Sequence, residues 1–471
     1  MINFILKGVK YCIYFALMVV FSCSYKDSEL KNADFRNRDL AQILVEGKIV
    51  AVTDYTSTNY FIYKGEPMGY QYEMLVSLAS SLGVKLELIA ENDPAKALKM
   101  LKDGEVDIIT NDISYITTKK DRYKTTVPYR QSNLVLIQRK SYDENGIANN
   151  RLIRDLNGLA NKKVYISEKS GAASILKDLS QKDNIPINIV ENGTDDAEQL
   201  IDLVATGSLD YVVCDYAIAK VQSTIYSNID IETAIGSVQD LSWIVGAGAH
   251  DLLNRVNDWL SSFPKTIVYS NIYSKYYDNP YMAIIKKSDY FYSSKGRLSV
   301  FDEQIKSESN QINWDWRLVA SLIYQESKFN PSVRSESGAY GLMQFMPNTA
   351  EYFGIEHEAS PTVQLKTGIR YLKMLEKYME EIKIPEKERL KFVLAAYNAG
   401  YGHILDARSL AKKYGKDPNI WDNNVAFFIQ NKKEFCSDSV VRHGYLRGSE
   451  TYNFVNEILD RYNHYKNIIK K

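Results

Sequence analysis

The sequence predicts a multidomain chain, a two-lobed α/β unit followed by a mainly α-helical one. Three observations carry this expectation. The chain has 471 residues, too many for one core at roughly 100–200 residues per domain. Its middle part twice alternates short β-branched runs with stretches of helical periodicity. From Val300 onward the apolar residues recur at helical spacing.

The N-terminus comes first. Lys7 and Lys10 precede an apolar run from Tyr11 to Phe21, closed by Ser22 and Cys23. That run has the length of a signal-peptide core and falls short of the roughly 20 residues a membrane span needs. Residues 1–22 therefore read as a signal peptide. A small residue followed by Cys resembles a bacterial lipobox, although Phe21 is bulkier than the residue usual there. The resemblance implies cleavage before Cys23 and its acylation, and two or three acyl chains would hold the protein on a membrane. A cleaved signal with an incidental Cys, or an uncleaved anchor, are the alternatives. Residues 23–42 are expected to be a tether, polar and poor in apolar residues from Ser24 to Arg38.

Residues 43–265 form the α/β unit. Lys48-Ile-Val-Ala-Val-Thr53 is a β-branched run. Glu73-Met-Leu-Val-Ser-Leu-Ala-Ser-Ser-Leu82 has helical periodicity, and Val84-Lys-Leu-Glu-Leu-Ile89 alternates as a strand. A helix around Ala95 to Leu101 and a strand at Val106-Asp-Ile-Ile109 complete a βαβαβ pattern. A second such unit begins near Asp155, with strands at Lys163-Val-Tyr-Ile166 and Tyr211-Val-Val-Cys214. Two lobes of this kind, joined by crossings expected at Leu134-Val-Leu-Ile137 and Ser242-Trp-Ile-Val245, leave a cleft between facing strand ends. Residues 266–299, rich in Tyr, Lys and Ser with little periodicity, read as a linker.

Within this unit Gly69-Tyr-Gln-Tyr-Glu-Met-Leu75, Leu82-Gly-Val84, Gly104-Glu-Val-Asp-Ile-Ile109, Arg122, Pro128-Tyr129 and Gly207-Ser-Leu-Asp-Tyr-Val-Val-Cys-Asp215 follow one another. The ordered set resembles extracellular solute-binding proteins of the amino-acid-binding type and implies a periplasmic-binding-protein-like fold. It also implies that Arg122 grips a ligand carboxylate, Asp215 accepts its ammonium and Ser170 assists. A planar guanidinium suits a carboxylate bidentately. Lys169 stands where the family usually has Gly. An amino acid or a short wall peptide fits the two charges equally; surface or interlobe ion pairs are the alternative reading.

In residues 300–471, Leu318, Leu322 and Glu326 recur every four residues beside Val319 and Ile323, which puts Glu326 on the apolar stripe of a helix. A carboxyl group among apolar neighbours resists ionisation and can serve as a general acid. A Glu paired to an Arg elsewhere in the chain fits the same spacing. Leu390, Val393, Leu394 and Tyr397 share another helix face, where Tyr397 either packs or reaches a site. Asn398 and Gly400 end that helix.

Gln325-Glu-Ser327, Gly338-Ala-Tyr-Gly-Leu-Met-Gln344, Met346-Pro347, Ala395-Ala-Tyr-Asn-Ala-Gly400 and Glu450-Thr451 occur in the order of the soluble-lytic-transglycosylase family, which this region resembles over about 150 residues. The resemblance implies a lysozyme-like fold acting on the glycan strands of peptidoglycan, with Glu326 catalytic. Ser327, Gly341, Met343, Gln344, Tyr397 and Asn398 would line the substrate groove. It further implies cleavage of the β-1,4 bond between N-acetylmuramic acid and N-acetylglucosamine, closing a 1,6-anhydro ring. A hydrolytic muramidase of the same fold, or a non-catalytic receptor docking on the wall, are the other activities compatible with these domains. Where the family has Glu-Thr-x-x-Tyr-Val, this chain has Phe454 in the Tyr position.

Composition narrows the partners. Lys+Arg and Asp+Glu both number 58, which removes the electrostatic case for nucleic acid. His250, His357, His403, His443 and His464 make no pair at helical ligand spacing, and Cys214 and Cys436 fall in different domains, so neither a metal nor another cofactor is expected. The expected location is the periplasmic face of the outer membrane of a Gram-negative bacterium, held by lipid, since Ser24 rather than Asp follows Cys23.

Overall fold

The structure is a computed structural model and describes residues 38–111, 123–140, 152–170, 172–279, 281–286, 288, 291–292, 297–356 and 358–469. Cys23 and Arg122 lie outside the described residues. In the first lobe the strands are β1 (Lys48–Thr53), β2 (Phe61–Tyr63), β3 (Glu66–Met68), β4 (Lys85–Ala90), β5 (Ile108–Ile109) and β6 (Tyr123–Thr125). The second lobe contributes β7 (Arg130–Arg139), β8 (Lys163–Ser167), β9 (Asn188–Asn192), β10 (Tyr211–Asp215) and β11 (Ile229–Leu241), and β12 (Ile244–Gly246) returns to the first.

The first sheet has the order β4-β1-β5-β12-β6, with β1 parallel to β4 and β5. β1 is buried along nearly its whole length, as a parallel strand covered on both faces must be, and this explains its unbroken apolar run. The helix Pro94–Asp103 opens on Asp93, which accepts hydrogen bonds from Ala95 and Lys96 N–H, and on Pro94, whose missing N–H costs nothing in a first turn. It covers one face of the sheet, around Val50, Val52 and Ile109.

The second sheet has the order β11-β7-β10-β8-β9. Side chains alternate across it, Leu134 and Leu136 facing one apolar cluster and Val135 and Ile137 the other. Leu134 to Ile137 were expected to cross between lobes; they instead pair with β10 deep inside the second lobe. The two connections run side by side earlier, where Thr126 and Tyr129 N–H donate to the carbonyls of Trp243 and Leu241. An uninterrupted apolar run marks a buried strand, and periodicity alone cannot say which lobe buries it.

The segment expected as a linker is largely helical. Ile267–Tyr277 is a helix capped by Thr266, and it returns to the first lobe: Lys275 pairs with Glu73 at 2.6 Å, and Gly69 N–H donates to the Tyr276 hydroxyl at 2.9 Å. Its buried face combines Ile272 with Tyr269, Tyr273, Tyr276 and Tyr277, and a stripe made mostly of Tyr hid the 3.6-residue period among Ser and Lys.

The helical part surrounds Trp316–Ser327, buried from Arg317 through Tyr324 without a solvent face. Pro361–Glu381, Glu386–Ala399, Tyr401–Lys413 and Gly448–Ile468 are its main companions. One apolar core runs from Ile49, Ala51 and Met74 of the first lobe into Leu318, Ile323 and Tyr465 of the helical part. β4 is an edge strand, and Gly448–Ile468 lies along it, with Lys85–Asp460 at 2.9 Å and Asn467 near Glu87. An edge covered in this way cannot recruit another strand.

Candidate active site

Trp316–Ser327 begins where Asp315 accepts the Arg317 N–H. It ends at Ser327 because Lys328 and Phe329 both turn to positive φ, +50° and +60°, so the helix has already stopped when Pro331 is reached. Phe329 is buried against the turn at Gly65, where an added Cβ would lie 2.3 Å from its ring. Tyr465 also donates to the Gly65 carbonyl at 2.7 Å. The helix end that carries Glu326 is thereby clamped to the first lobe.

Glu326 is half-buried. Burial pushes its carboxyl up to about 8, with no other cause contributing. Among the described residues no Arg or Lys makes an ion pair with it. A carboxyl with that proton affinity stays largely protonated at neutral pH.

The turn after Gly338 frames it. Tyr397 donates its hydroxyl to the Met343 carbonyl at 2.6 Å, and the charge of Glu326 adds to burial in raising the phenol far above its usual range. Ser327 donates to the carbonyls of Ile323 and Leu342. Asn398 is exposed, its amide oxygen fixed by the Thr451 hydroxyl at 2.8 Å. Tyr397 thus lies between Glu326 and the turn, and Asn398 follows it in the chain.

Three groove expectations need correction. The Met343 side chain is fully buried and packs on Gly368, so it faces the core and offers only its carbonyl toward Tyr397. The Ser327 hydroxyl is buried and turned to backbone carbonyls. Gly341 permits a close approach, but to Gln364: φ is +83° and an added Cβ would meet Oε1 at 2.4 Å. Gln344 is half-buried, its amide bonded to the Val333 and Gly341 carbonyls.

Gln364 was missed by the sequence reading. It is 1 % exposed, accepts the Leu342 N–H at 2.7 Å and donates to the carbonyls of Pro331 and Ala359. The available signal was a polar residue on the apolar stripe of Gly368, Leu372 and Leu375, a place where unsatisfied amides are costly.

In the α/β part, Asp215 caps the following helix by accepting the Ala217 N–H at 2.8 Å and lies 3.9 Å from Arg130. Ser170 donates to the Ser167 carbonyl and accepts from Ala172 N–H, so its hydroxyl serves the helix entry. Between the lobes, Glu198 accepts the Ser57 N–H at 2.9 Å.

Residues 303–420 match the Transglycosylase SLT domain, and residues 48–279 match the bacterial extracellular solute-binding proteins, family 3. A membrane-bound lytic murein transglycosylase F of Desulfosudis oleivorans is 32 % identical over 91 % of this chain and 92 % of its own length. The chain belongs to the membrane-bound lytic murein transglycosylase F family. A relative of the same name from Aeromonas hydrophila is 29 % identical over 90 % of this chain and 83 % of its own. A mutant of ArgBP from T. maritima superposes with TM-score 0.43 at 18 % identity, covering 51 % of this chain and 99 % of that one. In this transglycosylase F family member, Thr451 and Phe454 lie beyond the matched SLT segment. Thr451 nevertheless reaches Asn398, and Phe454 is buried in the shared core. Among the described residues no helix is long and apolar enough to cross a membrane.

Proposed function

We propose that Glu326 is the acid and then the base of murein cleavage, with release of 1,6-anhydromuramic ends. By family the chain is a peptidoglycan lytic transglycosylase, and the single observation that carries the residue assignment is the Glu326 carboxyl raised to about 8 by burial beside Tyr397. Protonated Glu326 gives its proton to the glycosidic oxygen between N-acetylmuramic acid and N-acetylglucosamine, and the C1–O bond breaks. The substrate's acetamido group supports the oxocarbenium-like centre from the other face, where most glycosidases use a second carboxylate. The Glu326 carboxylate then takes the proton of the muramic 6-hydroxyl as O6 bonds to C1. Glu336 and Glu351 are exposed on the surface and take no part in this scheme.

Tyr397 holds the turn and keeps the surroundings of Glu326 dry enough to favour the neutral acid. Asn398 and Gln344 supply the groove's amides. The solute-binding module takes an amino acid or wall peptide through Arg122 and Asp215 and modulates cleavage, and Cys23 carries the lipid that places the enzyme on the periplasmic face of the outer membrane.

Mass analysis of murein digested by the parent and by Glu326→Gln tests this. Anhydro products from the parent and none from the variant support the assignment. Hydrolysed reducing ends would support the muramidase reading instead.

A further inference from the structure

The helix Pro347–Phe353 buries none of its residues, yet it carries two adjacent aromatic rings. Tyr352 is 71 % exposed, and Phe353 is half-buried with the Arg370 guanidinium 5.3 Å above its ring. These rings are not isolated. Tyr352 and Phe353 have centroids 5.0 Å apart, Phe353 and Tyr371 5.8 Å, and Tyr371 and Tyr397 5.1 Å. The ladder therefore starts in solvent and ends at the ring beside Glu326. Tyr371 and Tyr397 are themselves only half-buried, so the run stays at the surface along its length.

A single exposed aromatic needs no explanation. A contiguous run that leads to the half-buried Glu326 is different, because exposed apolar surface joined to a site marks a ligand surface. Aromatic rings present flat apolar faces at low entropy cost, and pyranose rings present apolar C–H faces that fit them. Arg370 adds a cation where a muramic acid substituent or peptide brings a carboxylate.

We propose that Tyr352, Phe353 and Tyr371 form an extended glycan-binding track, which holds the murein strand on one side of the bond that Glu326 cuts. The occupant is an N-acetylated glycan strand, since the track is continuous with the candidate active site. The proposal rests on the reading of Glu326 as the site of cleavage. It predicts that affinity depends on glycan length, because only long strands reach Tyr352.

The test uses peptide-free murein glycan strands graded by length, titrated calorimetrically into the full chain carrying Glu326→Gln so that no cleavage intervenes. Adding Tyr352→Ala is expected to weaken binding of the longest strands on the order of tenfold, about 1.4 kcal/mol, and to leave the shortest strands unchanged. Tyr352→Phe is expected to bind like the parent, since the ring rather than the hydroxyl makes the surface. Phe353→Ala should repeat the length-selective loss. Equal affinity of Tyr352→Ala, Phe353→Ala and parent for the longest strands overturns the track. Residual murein cleavage by Glu326→Gln would instead overturn the catalytic assignment, and it is read separately from the titration.

Discussion

Lys432 and Asp406 form an ion pair at 2.7 Å with both side chains almost fully buried, 0 % and 2 % exposed. Asp406 also accepts the N–H groups of Arg442 and His443, and Lys432 reaches His403 Nδ1 at 2.7 Å. The pair thereby ties the helix Tyr401–Lys413, just beyond Asn398, to the segment leading into Gly448–Ile468 and Thr451. Burial opposes the Asp406 charge, but the hydrogen bonds from Lys432, Arg442 and His443 together hold it below the usual carboxylate range, while burial lowers Lys432 in spite of its partner. Lys432→Met leaves a buried carboxylate without its cation, and unfolding in denaturant should show a loss of about 3–5 kcal/mol. Adding Asp406→Leu recovers only part of this, because the two backbone donors then lose their acceptor.

Removing the Tyr397 hydroxyl leaves the Met343 carbonyl without its donor. Tyr397→Phe should cost about 1–3 kcal/mol of stability and lower kcat on murein on the order of tenfold. If the hydroxyl only packs, stability falls and kcat does not.

Gly341 tolerates no side chain. Gly341→Ala places a methyl group at positive φ against Gln364 Oε1 and should destabilise by about 2–4 kcal/mol. Gln364→Ala relieves that clash but frees the Leu342 N–H and two carbonyls, so combining the two substitutions should not restore the parent's melting temperature.

Glu326 links stability to pH in a direction that can be checked. Its folded value of about 8 lies above the ordinary 4.5, so the folded state keeps a proton that the unfolded state loses between these values. Stability contributed by the site is therefore full below 4.5 and declines as pH rises toward 8. Glu326→Gln has no charge to form, and its melting temperature should exceed the parent's by a margin that grows from pH 4.5 to 8. Parent kcat/KM should fall above about 8, where the acid deprotonates.

The sequence made the Glu326 stripe legible because a 3.6-residue period needs only residue types. The α/β alternation was legible for the same reason. Other features were hidden by their physics. Ile267–Tyr277 escaped because its apolar face is built mostly from Tyr, with Ile272 its one buried aliphatic residue. The lobe crossing was misplaced because Leu134 to Ile137 are buried on both faces and look alike in either lobe. Met343 and Ser327 were assigned to the groove through motif resemblance, which marks a segment but not the direction in which each side chain points. Contacts such as Tyr465 on Gly65 and Lys432 on Asp406 join residues distant in sequence, and no local pattern encodes them.

The central claim is that Glu326 cuts murein by closing an anhydro ring. Mass analysis of the soluble products from purified murein, comparing the parent with Glu326→Gln, tests it most directly. The account predicts parent muropeptides lighter by one water than hydrolysed ones, and a rate lowered by at least about a hundredfold in the variant. Reducing-end products from the parent, or anhydro products at the parent's rate from Glu326→Gln, would contradict it.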